Sequence, residues 1–93
     1  MNLSTDEIRA FLSADDRERK KLLKEIIPRV TCAEDAIRLA PALRDPSPRV
    51  AARITAILAK FQLEEELETQ LHGLKPGKVD LLRNHFRRIA KSE

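Results

Sequence analysis

Cys32, His72 and His85 are the side chains of this 93-residue chain best suited to nucleophilic or imidazole chemistry. None stands at a spacing that builds a site. No H-x-x-x-H, C-x-x-C or G-x-S-x-G pattern occurs, and Gly77-Lys78 lacks the upstream glycine of a phosphate-binding loop. His72, directly before Gly73, fits a cation near a helix C-terminus, and His85 flanks Leu82 and Phe86 on an apolar stripe. The paired acids Asp15-Asp16 fit a helix N-terminus. These residues predict a non-enzymatic protein with no catalytic residue, metal or cofactor.

What remains is charge, and it is divided between segments. In the expected first helices of three hairpins, Asp6 and Glu7 outweigh Arg9, Glu34 and Asp35 outweigh Arg38, and Glu64, Glu65, Glu66 and Glu68 stand unopposed, a sum of −6. The second helices sum to +10, and the connecting residues bring the total to the formal +3. Within the basic set, Arg49 and Arg53 lie four apart on one helix face, as do Arg83 and Arg87, so the two helices are expected to present one strip. Lys20, Lys24, Arg49, Arg53, Lys60, Arg83, Arg87 and Lys91 are the candidate partner-binding residues. Such a layer suits an acidic protein partner with a salt-sensitive association rate. A nucleic acid held through its phosphates is the alternative, weakened by the absence of Tyr and Trp and by the modest net charge. A third reading has no function in it: the acidic helices pair with the basic ones across each hairpin, the fifth with the sixth above all.

The elements that position these charges are all helical. β-Branched residues never alternate with polar ones over a strand's length, and no Asn-Gly or Asp-Gly turn appears. Ser4 and Glu7 form a capping box, with Leu3 and Ile8 as its hydrophobic staple, and open a first helix ending near Ser13 that buries Ile8, Phe11 and Leu12. The second runs from about Asp16 to Arg29 with Leu22, Leu23, Ile26, Ile27 and Val30 inward, its end frayed by Pro28. Thr31 with Glu34 reads as another capping box. It opens a third helix striped by Cys32, Ala36, Leu39 and Leu43, which Pro41 kinks or ends early.

Ser47 as a capping hydroxyl and Pro48 at the first helical position launch the fourth helix, striped by Val50, Ile54, Ile57, Leu58 and Phe61. The next apolar set, Leu63, Leu67, Leu71 and Leu74, is out of phase with that stripe by about 200°. Either the helix breaks near residues 60–62 or one long helix carries two opposed faces; the break is the reading adopted. Gly73 is a natural residue just past the fifth helix. The sixth runs from about Lys78 to Lys91 and buries Val79, Leu82, Phe86 and Ile89.

Turns near Asp15, Asp45 and Lys75 recur every thirty residues. That period, over hairpins at about 4–30, 31–62 and 63–92, predicts one all-α domain built as a short α-solenoid of about three helical hairpins. A compact six-helix bundle is the alternative. Leu43-Arg44-Asp45-Pro46-Ser47-Pro48-Arg49-Val50 and the striped helix behind it resemble a HEAT repeat over about residues 36–61, although Ala51 stands where that family usually has Arg. The resemblance implies a scaffold or protein-interaction module whose second helices form one layer, usually the concave one.

A chain of this length buries roughly 60–70% of its unfolded surface, enough for one modest core. With aromatics at 3%, that core must be built from Leu, Ile, Val and Ala. The single Cys32 allows no intramolecular disulfide, and its place on a stripe predicts a buried thiol. No signal-peptide pattern and no apolar run near ~20 residues is present, which points to a cytoplasmic protein without a membrane partner. Leucines left exposed at the ends of the stack would allow a homo-oligomer.

Overall fold

The computed structural model describes residues 3–45 and 47–92. Among these the structure is all-α, without a strand: α1 (Thr5–Ser13), α2 (Asp16–Ile26), α3 (Ala33–Leu39), α4 (Pro48–Lys60), α5 (Glu64–Leu71) and α6 (Pro76–Ser92), with 3₁₀ turns at Ile27–Arg29 and Ala40–Arg44. Both 3₁₀ turns form around prolines expected to disrupt a helix. Pro28 tightens the end of the second helix, and Pro41 stops the third at Leu39.

Helix starts follow local chemistry where no distant group competes. Ser4 Oγ accepts the Glu7 N–H at 3.1 Å and Glu7 Oε1 accepts the Ser4 N–H at 3.2 Å, so the first capping box is complete. Asp15 caps α2 by accepting the Glu18 N–H at 2.9 Å. The second expected box does not form: α3 begins one residue later, with Cys32 at the N-cap and no side-chain cap. Asp35, and not Glu34, then stands at the third helical position, fully buried, where its Oδ2 accepts the Leu3 N–H at 3.0 Å. Cys32 is consequently half-buried at a helix end and does not sit in the core. Ser47 occupies the N-cap of α4, but its hydroxyl makes no cap; instead its own N–H donates to Asp45 Oδ1 at 2.7 Å. Pro48 takes the first helical position as expected, whereas the turn role read for Pro46 lies outside the described residues. The sixth helix starts two residues before the expected Lys78, because Pro76 fits a first turn that needs no N–H from it.

Between α4 and α5 the chain breaks as the change of stripe phase required. Phe61 is the C-cap, Gln62 adopts φ +54°, the Gln62 N–H donates to Ala59 O at 3.0 Å, and the Leu63 N–H donates to Leu58 O at 2.9 Å. These two bonds make a Schellman motif with glutamine where glycine is usual. Behind α5 the chain turns differently: the Leu74 N–H donates to Leu71 O at 3.1 Å, and Gly73 takes the φ +87° that this type II turn requires without strain.

The core gathers around α4, whose Val50, Ala51, Ile54, Thr55, Ile57, Leu58 and Ala59 are buried. α4 packs against α2, α3, α5 and α6 and the 3₁₀ turn Ala40–Arg44, while α1 packs against α2 and α3. Phe11, Leu39, Leu43, Leu67, Leu82 and Phe86 complete the apolar interior. Thr55 hides its hydroxyl there by donating to Ala51 O at 2.8 Å.

Two polar nodes tie these helices together. Arg19 donates from Nε to Phe11 O at 3.2 Å and from Nη2 to Leu12 O and Ala14 O, both at 2.9 Å, while Nη1 binds the Asp45 carboxylate. Lys78 Nζ reaches the Asp45 carbonyl from the other side at 3.0 Å. At the second node Arg38 donates to Leu3 O at 3.1 Å and Thr5 Oγ1 at 3.0 Å, with its Nη1 at 3.6 Å from Asp35 Oδ1.

Replacing Arg19 with Met leaves the buried Asp45 carboxylate without its cation and is expected to cost about 3 kcal/mol in urea unfolding. In the Arg19→Met/Asp45→Ala double variant the loss should fall well short of the sum, and additive losses would contradict the node. Gln62→Gly relieves the left-handed cap and should raise stability by roughly 0.5–1 kcal/mol.

Candidate basic groove

The side chains of α2 show how the charged surface is assembled. Asp15 fixes where the helix begins, and Leu23 and Ile26 fix which face goes inward. Arg17, Lys20, Lys21 and Lys24, spaced at i, i+3, i+4 and i+7, then share one outer face. On α4 the buried Val50 and Ile54 turn Arg49 and Arg53, one helical turn apart, towards the same space.

A groove of about 780 Å³ lies between the two helices, lined by those six basic side chains and by Asp16. Its floor is apolar, made of Leu23, Ile27 and Pro28. Ile27 and Arg53 also line an adjoining hollow of about 170 Å³ with Val30, Ala56, Ile57, Lys60 and Phe61. The Lys60 ammonium lies 5.7 Å from the centroid of the Phe61 ring, within cation–π range. The two spaces form one trough, with cations along its walls and hydrocarbon beneath.

Of the eight candidates read from the sequence, Lys20, Lys24, Arg49 and Arg53 converge on the groove and Lys60 on its extension. Arg83, Arg87 and Lys91 are on α6 and line neither space. Arg83 is engaged instead: its Nε and Nη2 donate to the two Glu68 carboxylate oxygens at 3.0 and 2.6 Å. Of the four arginines expected to form one strip, Arg49 and Arg53 thus line the groove, while Arg83 is paired with a carboxylate of α5. Arg17 and Lys21, part of the second helix's positive charge but not among the eight candidates, also line the groove, and their spacing from Lys20 and Lys24 carried the signal.

The described ion pairs separate structural charges from available ones. Glu7 accepts two hydrogen bonds from Arg29, Glu68 two from Arg83, and the pairs Arg19–Asp45 and Arg38–Asp35 complete the set. None of the six groove cations takes part in them. The expected pairing of acidic with basic helices thus occurs at α5–α6 and between α1 and the end of the second helix, and leaves the groove open.

Among the described residues no three of His, Cys, Asp and Glu converge on a metal-sized site. His72 is the C-cap of α5 and its carbonyl accepts Arg44 Nη1 at 3.0 Å, while His85 is half-buried on α6. No described helix is long and apolar enough to cross a membrane.

Hydrogen bonds from Arg29, with help from the Ser4 N–H, lower the Glu7 carboxyl from 4.5 to about 2. Arg83 lowers Glu68 in the same direction, chiefly through its hydrogen bonds. A carboxyl depressed by folding binds fewer protons in the folded state than in the unfolded one. Its stabilisation is complete above the unfolded value of 4.5 and is lost as pH falls through the window down to about 2. Glu7→Gln should accordingly flatten the fall in urea-unfolding free energy between pH 5 and pH 2.5, with little change in its slope above pH 5.

Comparison of the chain with protein-family models, curated proteins and solved structures finds no match, so the groove is read from its own geometry.

Proposed function

We propose that this chain is a non-enzymatic interaction module that receives an acidic segment of another protein in the trough between α2 and α4. The observation that carries the reading is the set of six cations, free of the described ion pairs, over an apolar floor. A phosphate backbone would satisfy the walls and leave the exposed surface of Ile27 and Pro28 uncovered, whereas an acidic peptide with apolar side chains satisfies both. The contacts of α4 with both α2 and α6, and of α1 with α3, are those of neighbouring layers in a short HEAT-like stack, while α5 rests on α4 and the turn Ala40–Arg44 and not on α6. In that arrangement the trough belongs to the layer of second helices.

Fluorescence anisotropy tests the reading with two labelled probes at 150 mM salt: a 14-residue Glu/Leu peptide and a 14-base-pair DNA duplex. The peptide is expected to bind with a micromolar Kd, at least tenfold weaker in Lys20→Glu/Arg53→Glu, and the duplex to bind more weakly than the peptide. Ile27→Ser should weaken the peptide by about threefold, on the scale of a partial loss of apolar burial. Tighter binding of the duplex, indifferent to Ile27→Ser and abolished by the charge reversal, would replace the protein partner with a nucleic acid.

A further inference from the structure

The shape of the trough constrains the conformation of what lies in it. Resting on the reading just given, we infer that the acidic segment docks as an amphipathic α-helix of about three turns, laid along α2 and α4. Its apolar stripe would face the floor, and its carboxylates would flank the stripe on both sides.

Two features of the site carry this. Both walls are cationic, with Arg17, Lys21 and Lys24 from α2 and Arg49, Arg53 and Lys60 from α4, and the apolar floor runs between them from Leu23 to Phe61. An extended peptide points alternate side chains to opposite faces, so with its apolar face on the floor its carboxylates would project to solvent, away from either wall. A helix places polar residues on both sides of an apolar stripe, which matches a floor with two walls. The second feature is the backbone. Beyond their first turns, the walls made by α2 and α4 have their amide groups committed to intrahelical bonds, and they offer no strand edge. A docked strand would keep its own N–H and C=O groups unpaired over the apolar floor, while a helix satisfies them internally. Eleven residues of α2 span roughly 16 Å, which sets the length of the occupant at about three turns.

A second copy of this chain fits poorly as the occupant. Its acidic helix α5 buries Leu67 and Leu71 in its own core and commits Glu68 to Arg83, so it has no apolar stripe to offer.

Three 14-residue peptides of identical Glu/Leu composition separate the possibilities by anisotropy at 150 mM salt. The first gathers its seven Leu on one helical face, at i, i+3, i+4, i+7 and onward; the second scatters the same Leu residues around the helix; the third alternates Glu and Leu. The first is expected to bind at least tenfold more tightly than the other two and to gain helical circular dichroism on binding. Arg53→Glu should weaken the first at least fivefold, and Ile27→Ser should narrow its advantage over the second. Binding of all three within threefold of one another would overturn the helical occupant and leave the acidic-segment reading intact. Failure of all three to bind would overturn both. Concentration-dependent association of the protein in sedimentation velocity, abolished by Lys20→Glu/Arg53→Glu, would also overturn the inference, because a second copy would then occupy the trough.

Discussion

The turn at Asp45 is where the parts of this small protein are fastened to one another. Its carboxylate is 1% exposed and holds the Arg19 guanidinium, which is itself bound to three carbonyls at the end of α1 and just beyond it. Its second oxygen turns the Ser47 amide into the start of α4, and its carbonyl takes Lys78 from α6. A chain with three aromatic residues has no large interlocking rings to fix the angles between its helices. Directional bonds at one buried carboxylate supply that definition, and the aliphatic core around α4 supplies the bulk of the burial. The Asp35 node works similarly at the other end of α3, where it gathers the Leu3 amide and Arg38.

Elements governed by nearest neighbours were legible in the sequence. The Ser4–Glu7 box, the stop at Pro41, the break after Lys60 and the turn at Gly73 each depend on groups within a few residues. The misplaced features have distant partners. Asp35 looked like an ordinary acid of a first turn, yet it is buried and bonded to the amide of a residue 32 positions away. Asp45 looked like a turn former, and nothing local announced that Arg19, 26 residues earlier, would close on it. Much of the groove was visible for the same reason that its helices were: Lys20, Lys24, Arg49 and Arg53 follow from helical spacing once the buried faces are known. Pairing was not visible. Whether a given arginine ends in a carboxylate's grasp, as Arg83 does, depends on where α5 and α6 come to lie around α4.

The separation of charge between first and second helices therefore has two outcomes in one molecule. At α5–α6 and between Glu7 and Arg29 the opposite signs meet and are used internally. Between α2 and α4 two basic helices lie side by side, and no acidic helix is in position to neutralise them.

Six cations crowded around one trough also repel each other. In the free protein this repulsion works against the packing of α2 on α4, screened over about 8 Å at physiological ionic strength. A mixed surface at the same positions would serve the fold better. An anionic segment entering the groove, as proposed, would lower that repulsion, so that binding there would also add to the stability of the fold.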